Sequence, residues 1–177
     1  TAVLGGFGIA NTKLETIGST FALVANRTKA DIEDLKEGFK FLGPQARQMG
    51  LGYEKIAIML GLMSDNLVRG GLAGRQLKSA MVALQIPTEQ AQKILDKYGI
   101  TLRDKVTHEI RDFVEVVSEL KHKLTEVEFG KMFPRIAVTG ALVMDENLEK
   151  YKTLVAEVGV KEDEALHRLV AVVNEVD

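Results

Sequence analysis

FKFLGPQARQMGLGYEKIAIMLGLMSDNLVRGGLAGRQLKSAMVALQIPTEQAQKILDKYGI, from Phe39 to Ile100, is a row of short apolar-periodic segments cut by Gly or Pro at a regular beat. Gly43-Pro44 is expected to end one helix and start the next, because proline fits the first turn of a helix and is disfavoured inside one. Pro44 to Met49 then reads as a short helix closed by Gly50. Gly52 leads into a longer helix with Ile56, Met59, Leu60, Met63 and Leu67 at helical spacing, and Gly70-Gly71 breaks it. Leu77, Met81 and Leu84 are the stripe of a helix beginning near Ala73. Pro87-Thr88-Glu89 restarts the chain, Ile94 and Leu95 pack, and Gly99 after Tyr98 reads as a C-terminal cap. Gly43, Pro44, Gly70, Gly74, Pro87 and Gly99 are therefore the residues expected to set the turns. Connections of a few residues make neighbouring helices antiparallel or crossed, not a linear rod.

Working outward, Ile17, Phe21 and Val24 recur at helical spacing and predict a first helix to about Asn26, after a glycine-rich opening with Gly5, Gly6 and Gly8. Thr28 is the expected N-cap of the next helix, with Asp31 three residues on and Ile32, Leu35, Phe39 and Leu42 as its stripe. Beyond Ile100 the pattern loosens, and Thr101 to Thr107 reads as a loop or short extended segment. Phe113, Val116, Val117, Leu120 and Leu124 predict a helix; Phe129, Phe133, Ile136, Val138 and Leu142 predict another or a pair, with Pro134 as a break or first-turn residue. Leu148, Tyr151, Leu154, Val155 and Val158 form a further stripe ended by Gly159. Leu166, Leu169, Val170 and Val173 mark a charged C-terminal helix able to project or pair with a partner. Strand-like alternation is nearly absent. The expected fold is all-α, a compact array of short helices joined by Gly/Pro turns, with that charged helix at the end.

The chain has 177 residues, of which 46% are apolar and 27% charged, ordinary values for a folded domain that needs no staple. Aromatics are 6% with no Trp, so the core has to be Leu, Ile, Val, Ala and Met. A net charge of -2 supplies no electrostatic drive toward nucleic acid. The lack of cysteine removes disulfides, thiolate catalysis and Cys-based zinc sites, and fits a reducing cytoplasm. The longest apolar runs, Ile56 to Met63 and Ile136 to Met144, fall short of the roughly 20 residues that span a bilayer, so no membrane-spanning segment is expected. An opening on TAVLGGFG and an end on NEVD read as a piece of a longer protein.

Patterns for bond-making chemistry are weak. Gly70 to Gly74 lacks the Gly-Lys-Ser/Thr ending of a phosphate loop and follows no strand, so a tight helix–helix turn is the expected reading. Arg75 and Lys78, one helical turn apart, read as a solvated face. His108, His122 and His167 do not make the i, i+4 pair of a metal-binding helix, and Ser64, Ser79 and Ser118 lie within helix patterns, away from any nucleophile elbow. Glu126 and Glu128 are the pair to weigh for glycoside hydrolysis, but a spacing of two points them to different faces of a helix. Met59, Met63 and Met81 read as core filling ahead of an adaptable binding surface. No catalytic, cofactor-binding or metal-binding residues are assigned, no cofactor is expected, and the chain is read as a non-enzyme.

Order and spacing go further. Thr28-Lys29-Ala30-Asp31-Ile32-Glu33-Asp34-Leu35, Phe41-Leu42-Gly43-Pro44 and Gly50-Leu51 are followed by Gly70-Gly71-Leu72-Ala73-Gly74-Arg75-Gln76-Leu77-Lys78. Leu84, Pro87-Thr88, Tyr98-Gly99-Ile100, Phe129-Gly130-Lys131 and the Ala137, Gly140, Ala141 helix continue the series. This succession, from Asn26 to Met144, resembles the tape-measure proteins of long-tailed bacteriophages; Arg75 and Lys78 depart from it, standing where Thr and Arg are usual. The resemblance implies a helical, non-catalytic segment of a much longer chain, acting in tail assembly and tail-length determination. It implies residence in the virion, within the tail lumen, and in the host cytoplasm during assembly. The implied partners are tail tube, tail-tip or assembly-chaperone proteins and other tape-measure copies, with no specific nucleic acid. The expected organisation is an N-terminal segment and first helix over 1–27, a helical core over 28–144 and C-terminal helices over 145–177. Because the Gly-broken core suits a measuring rod poorly, a docking module within the tape is the expectation. The alternative is a free-standing cytoplasmic helical adaptor binding through its C-terminal helix.

Overall fold

The computed structural model describes residues 14–159. They form α1 (Leu14–Arg27), α2 (Ile32–Gln48), α3 (Tyr53–Asp65), α4 (Gly70–Gln85), α5 (Glu89–Tyr98), α6 (Phe113–Lys123), α7 (Glu126–Met132), α8 (Arg135–Glu146) and α9 (148–159). No strand occurs among the described residues; one antiparallel bridge, Arg103 to Ile110, closes the loop between α5 and α6. The fold is all-α. The expectations for the glycine-rich opening and for the Leu166–Val173 helix lie outside the described residues.

Ile56 to Ser64 has no polar side, and a helix that is apolar all round has to be enclosed. Every residue from Ile56 to Ser64 is indeed buried, with α1, α2, α4 and α8 packed around α3. The chain turns through 116° between α3 and α4, which lays α4 across α2. That crossing is the most extensive helix pairing among the described residues, and the missing side chain of Gly74 makes it possible. A Cβ added to Gly74 would stand 2.4 Å from the Gly38 carbonyl oxygen and 3.0 Å from the Gly38 Cα. On its far side α4 receives α8, whose contact face is the small-residue set Ala137, Gly140 and Ala141.

Four local expectations change. Helix α2 runs straight through Gly43-Pro44, so no separate Pro44–Met49 helix exists. Gly43 removes the Cβ that would clash with the proline ring, Pro44 faces solvent, and buried Leu42 and Ala46 hold the helix on either side. The cap of α2 is Asp31, not Thr28: Asp31 and Asp34 exchange side-chain bonds with each other's backbone N–H at 2.7 and 3.1 Å. Thr28 instead donates its hydroxyl to the Val24 carbonyl, 2.7 Å away. Leu67 is not on the α3 stripe, which ends at Asp65; it has a φ of 65° and is 77% exposed. Helix α4 begins at Gly70 rather than near Ala73 and contains Gly74, so Gly74 sets a crossing and no turn. The chain restarts at Pro87-Thr88-Glu89 as expected, with Thr88 as the N-cap of α5, and Gly99 is its left-handed C-cap, also as expected.

The second half is pinned by polar clamps. Asp112 caps α6 through Val114 N–H at 2.9 Å and also accepts from Lys55 Nζ at 2.8 Å and Tyr151 Oη at 2.7 Å, joining α3, α6 and α9. Burial and then the neighbouring Asp112 charge push the Tyr151 phenol well above its ordinary range. The α9 helix is further tied by Lys150 to Asp65 and by Glu157 to Arg27, each at 2.5 Å. Phe129 and Phe133 are buried as expected, but Ile136 is 48% exposed, because α8 turns Ala137, Gly140, Ala141, Val143 and Met144 inward and Ile136 lies off that face. Helix α7 is joined to α5 by Glu128, which accepts from Lys97 Nζ at 2.7 Å, from Tyr98 Oη at 2.6 Å and from the Thr125 N–H at 3.0 Å. Lys97, then Tyr98 and the Thr125 backbone, hold its carboxyl down at about 2.

Two tests follow from these contacts. Gly74→Ala drives a methyl into the Gly38 backbone and should cost about 3 kcal/mol, lowering Tm by roughly 6–12 °C at this chain length. Gly130→Ala, with nothing within 4 Å of the added Cβ, should instead raise stability by about 0.5–1 kcal/mol; equal melting temperatures for the two variants would refute the close crossing. Glu128 has a folded pKa below its unfolded value, so its contribution is complete above about 4.5 and declines as pH falls toward about 2. Glu128→Gln should therefore flatten the acid side of a stability-against-pH curve within that window, and a slope identical to the parent's would refute the clamp.

Candidate docking surface

The residues weighed for chemistry are taken up by structure. Glu128 is the capping-box partner of Thr125 and the acceptor for Lys97 and Tyr98, while Glu126 stands exposed in the first turn of α7. Ser64 donates to the Leu60 carbonyl at 3.2 Å, and Ser118 to Asp145 at 2.8 Å. His108 sits at a φ of 61° in the α5–α6 loop and His122 lies exposed in the last turn of α6, whereas His167 is outside the described residues. No group of three or more metal-ligating side chains occurs among the described residues. Met59, Met63 and Met81 are fully buried and belong to the core. Gly70, at a φ of 55°, opens α4 after a helix–helix turn stabilised by Arg69 on Asp34 at 3.2 Å.

Arg75 and Lys78 have a more specific setting than a solvated face. Helix α4 buries Leu77, Ala80, Met81 and Leu84 and thereby turns Val82 and its C-cap Ile86 outward, with Ala83 at the edge of the core. Pro87 redirects the chain into α5 immediately afterwards, and Pro134 separates α7 from α8 close by. Between these elements lies an open, mainly apolar groove of about 700 Å³, lined by Phe41, Val82, Ala83, Ile86, Met132, Phe133 and Pro134, with Arg75, Lys78 and Lys131 among its polar residues. Ile86 is 76% exposed, a large apolar side chain left in water. The guanidinium of Arg75 lies 4.9 Å from the Phe41 ring centroid, a cation–π contact that stiffens it along the groove wall. None of the three cations is paired with a carboxylate among the described residues.

Helical spacing alone places Arg75 and Lys78 on the surface and does not bring out the groove they share with Lys131. A signal existed in α4, where Val82, Ala83 and Ile86 add apolar residues beyond the Leu77, Met81 and Leu84 stripe. A helix with one neighbour would not need them. Chemically the groove offers apolar contact flanked by positive charge, with the hydroxyls of Ser79 and Thr88 also in its lining. No single helix among the described residues is long and apolar enough to cross a membrane.

Comparison with known proteins identifies the family. Residues 1–134 match the family model described as phage-related minor tail protein. The chain is similar to a tape measure protein of Pneumococcus phage Dp-1, with 31% identity over 101 residues, covering 57% of this chain and 9% of the phage protein. It is also similar to a probable tape measure protein of Escherichia phage P2, with 29% identity over 98 residues, covering 55% of this chain and 12% of that protein. The match thus spans about a tenth of the length of these relatives. No solved structure matches. With three quarters of its residues under one family model, the chain belongs to the phage-related minor tail protein family.

Proposed function

We propose that the chain is a non-catalytic structural segment of a phage or prophage tail tape-measure protein, acting in tail assembly and tail-length determination. Its place is the tail lumen of the virion, and the host cytoplasm while tails are built. Within the tape it is a docking station and not the ruler. The observation that supports this is the folding-back of the family-matched residues: α2 and α4 cross at a glycine pair, and the chain turns through 116° between α3 and α4. A measuring helix gains about 1.5 Å of length per residue, whereas helices stacked on one another add residues without adding length. The exposed apolar and basic groove is the surface available to tail tube, tail-tip or chaperone proteins, or to other copies of the tape.

Deleting residues 28–144 from the parent gene tests the reading by electron microscopy of tails. The expected outcome is a collapse in tail yield, with any tails that form shortened by much less than about 1.5 Å per deleted residue. Normal yields of tails shortened in full proportion would assign the segment to the ruler. A peptidoglycan-cleaving activity of the purified chain, lost in Glu126→Gln, would overturn the non-catalytic reading.

A further inference from the structure

The groove has a mainly apolar lining and three cations without carboxylate partners among the described residues, so its occupant needs an apolar stripe flanked by carboxylates. Such a segment is written in the same chain. Residues 160–177, VKEDEALHRLVAVVNEVD, carry Leu166, Leu169, Val170 and Val173 at helical spacing. They also carry five carboxylates against one Lys and one Arg. We infer that the groove formed by α4, the α4–α5 turn and the α7–α8 junction receives residues 160–177 of a second copy of this chain. This goes beyond the docking reading above by naming the partner, and it rests on that reading.

A second copy fits better than the segment's own groove. Helix α9, which leads into residues 160–177, is anchored by Lys150 to Asp65 at the end of α3 and by Glu157 to Arg27 at the end of α1. Asp65 lies beside the start of α4, whereas Val82 and Ile86 lie at its other end, about 20 Å away along a helix rising 1.5 Å per residue. No residue of α1, α3 or α9 lines the groove. In the docked pair, Leu166, Leu169 and Val170 cover Ile86, Val82 and the Phe41 ring. Glu162, Asp163 and Glu164 face Arg75, Lys78 and Lys131.

Sedimentation of the 177-residue chain over a wide concentration range, at low and high salt, tests this. Self-association should be concentration-dependent and weaken as salt rises. Arg75→Glu with Lys78→Glu, and separately Glu162→Lys with Glu164→Lys, should each weaken it about tenfold or more. Mixing the two variants should restore association, because each then offers the charge the other lacks. Ile86→Asp, at a position already exposed and so free of folding cost, should weaken association without changing the helical circular dichroism. A chain that stays monomeric throughout would overturn the inference. Association unmoved by groove reversal, or a groove covered independently of concentration, would overturn it too. Those outcomes leave the tail-assembly reading standing, since it is judged by tail yield in the deletion and not by self-association.

Discussion

The contact between Gly38 and Gly74 is the constraint on which the other helices depend. A side chain at Gly74 would hold α2 and α4 apart, and one at Gly38 would run into Leu60 of α3, so either would disturb the enclosure of α3. An enclosed α3 has no fallback, since its ten-residue buried set would face water as one block. Close approach of α2 and α4 also fixes where the rest of α4 points. Its inner face is committed to α2 and its flank to α8, and what remains, Val82, Ala83 and Ile86, becomes the groove. The buried core and the exposed apolar surface are thus consequences of one crossing.

Sequence periodicity reveals most of the helices because each has a repeating apolar stripe, and Thr88 and Gly99 cap α5 as their chemistry demands. Where it fails, a tertiary contact overrides a local rule. Pro44 is a helix stop by propensity, yet the preceding glycine removes the steric clash and the packing of Leu42 and Ala46 keeps the helix going. Gly74 looks like a turn residue, because sequence cannot distinguish a glycine needed for its backbone freedom from one needed for its lack of a side chain. The φ values separate the two: Gly70 and Gly99 are left-handed, while Gly74 is an ordinary helical residue under a neighbouring backbone. Ile136 misleads in the opposite sense, since it lies off the buried face of α8, which is Ala137, Gly140, Ala141, Val143 and Met144. The groove was the least legible feature. It is built from residues more than 90 positions apart, from Phe41 to Pro134, and only the fold brings Lys131 opposite Arg75 and Lys78.

The polar clamps show how a chain of short helices resists fraying. Short helices leave many terminal amides and carbonyls without intrahelical partners. Here single carboxylates serve both a helix end and a neighbouring helix. Asp112 caps α6 and holds α3 and α9; Glu128 closes the cap of α7 and holds α5. Each therefore couples the integrity of one helix to the position of another, which is why the loop-rich second half keeps the groove wall in place. These carboxylates are engaged in holding structure, and the two that sequence would nominate as a catalytic pair have already separated into a clamp and a solvent-facing charge.

Asymmetry follows from where the two docking elements lie. The groove is on one end of α4, and the residues that lead into the acidic segment are fastened near the other. A contact between groove and segment is heterologous, joining unlike surfaces of successive copies. Such contacts close into a ring when the rotation between copies divides a full turn, and otherwise continue as a filament. A two-fold pair could satisfy both grooves only by exchanging segments across the axis. Because the contact rests on the charges of Arg75, Lys78 and Lys131, rising salt screens it and shifts the population from rings and filaments alike toward separate copies.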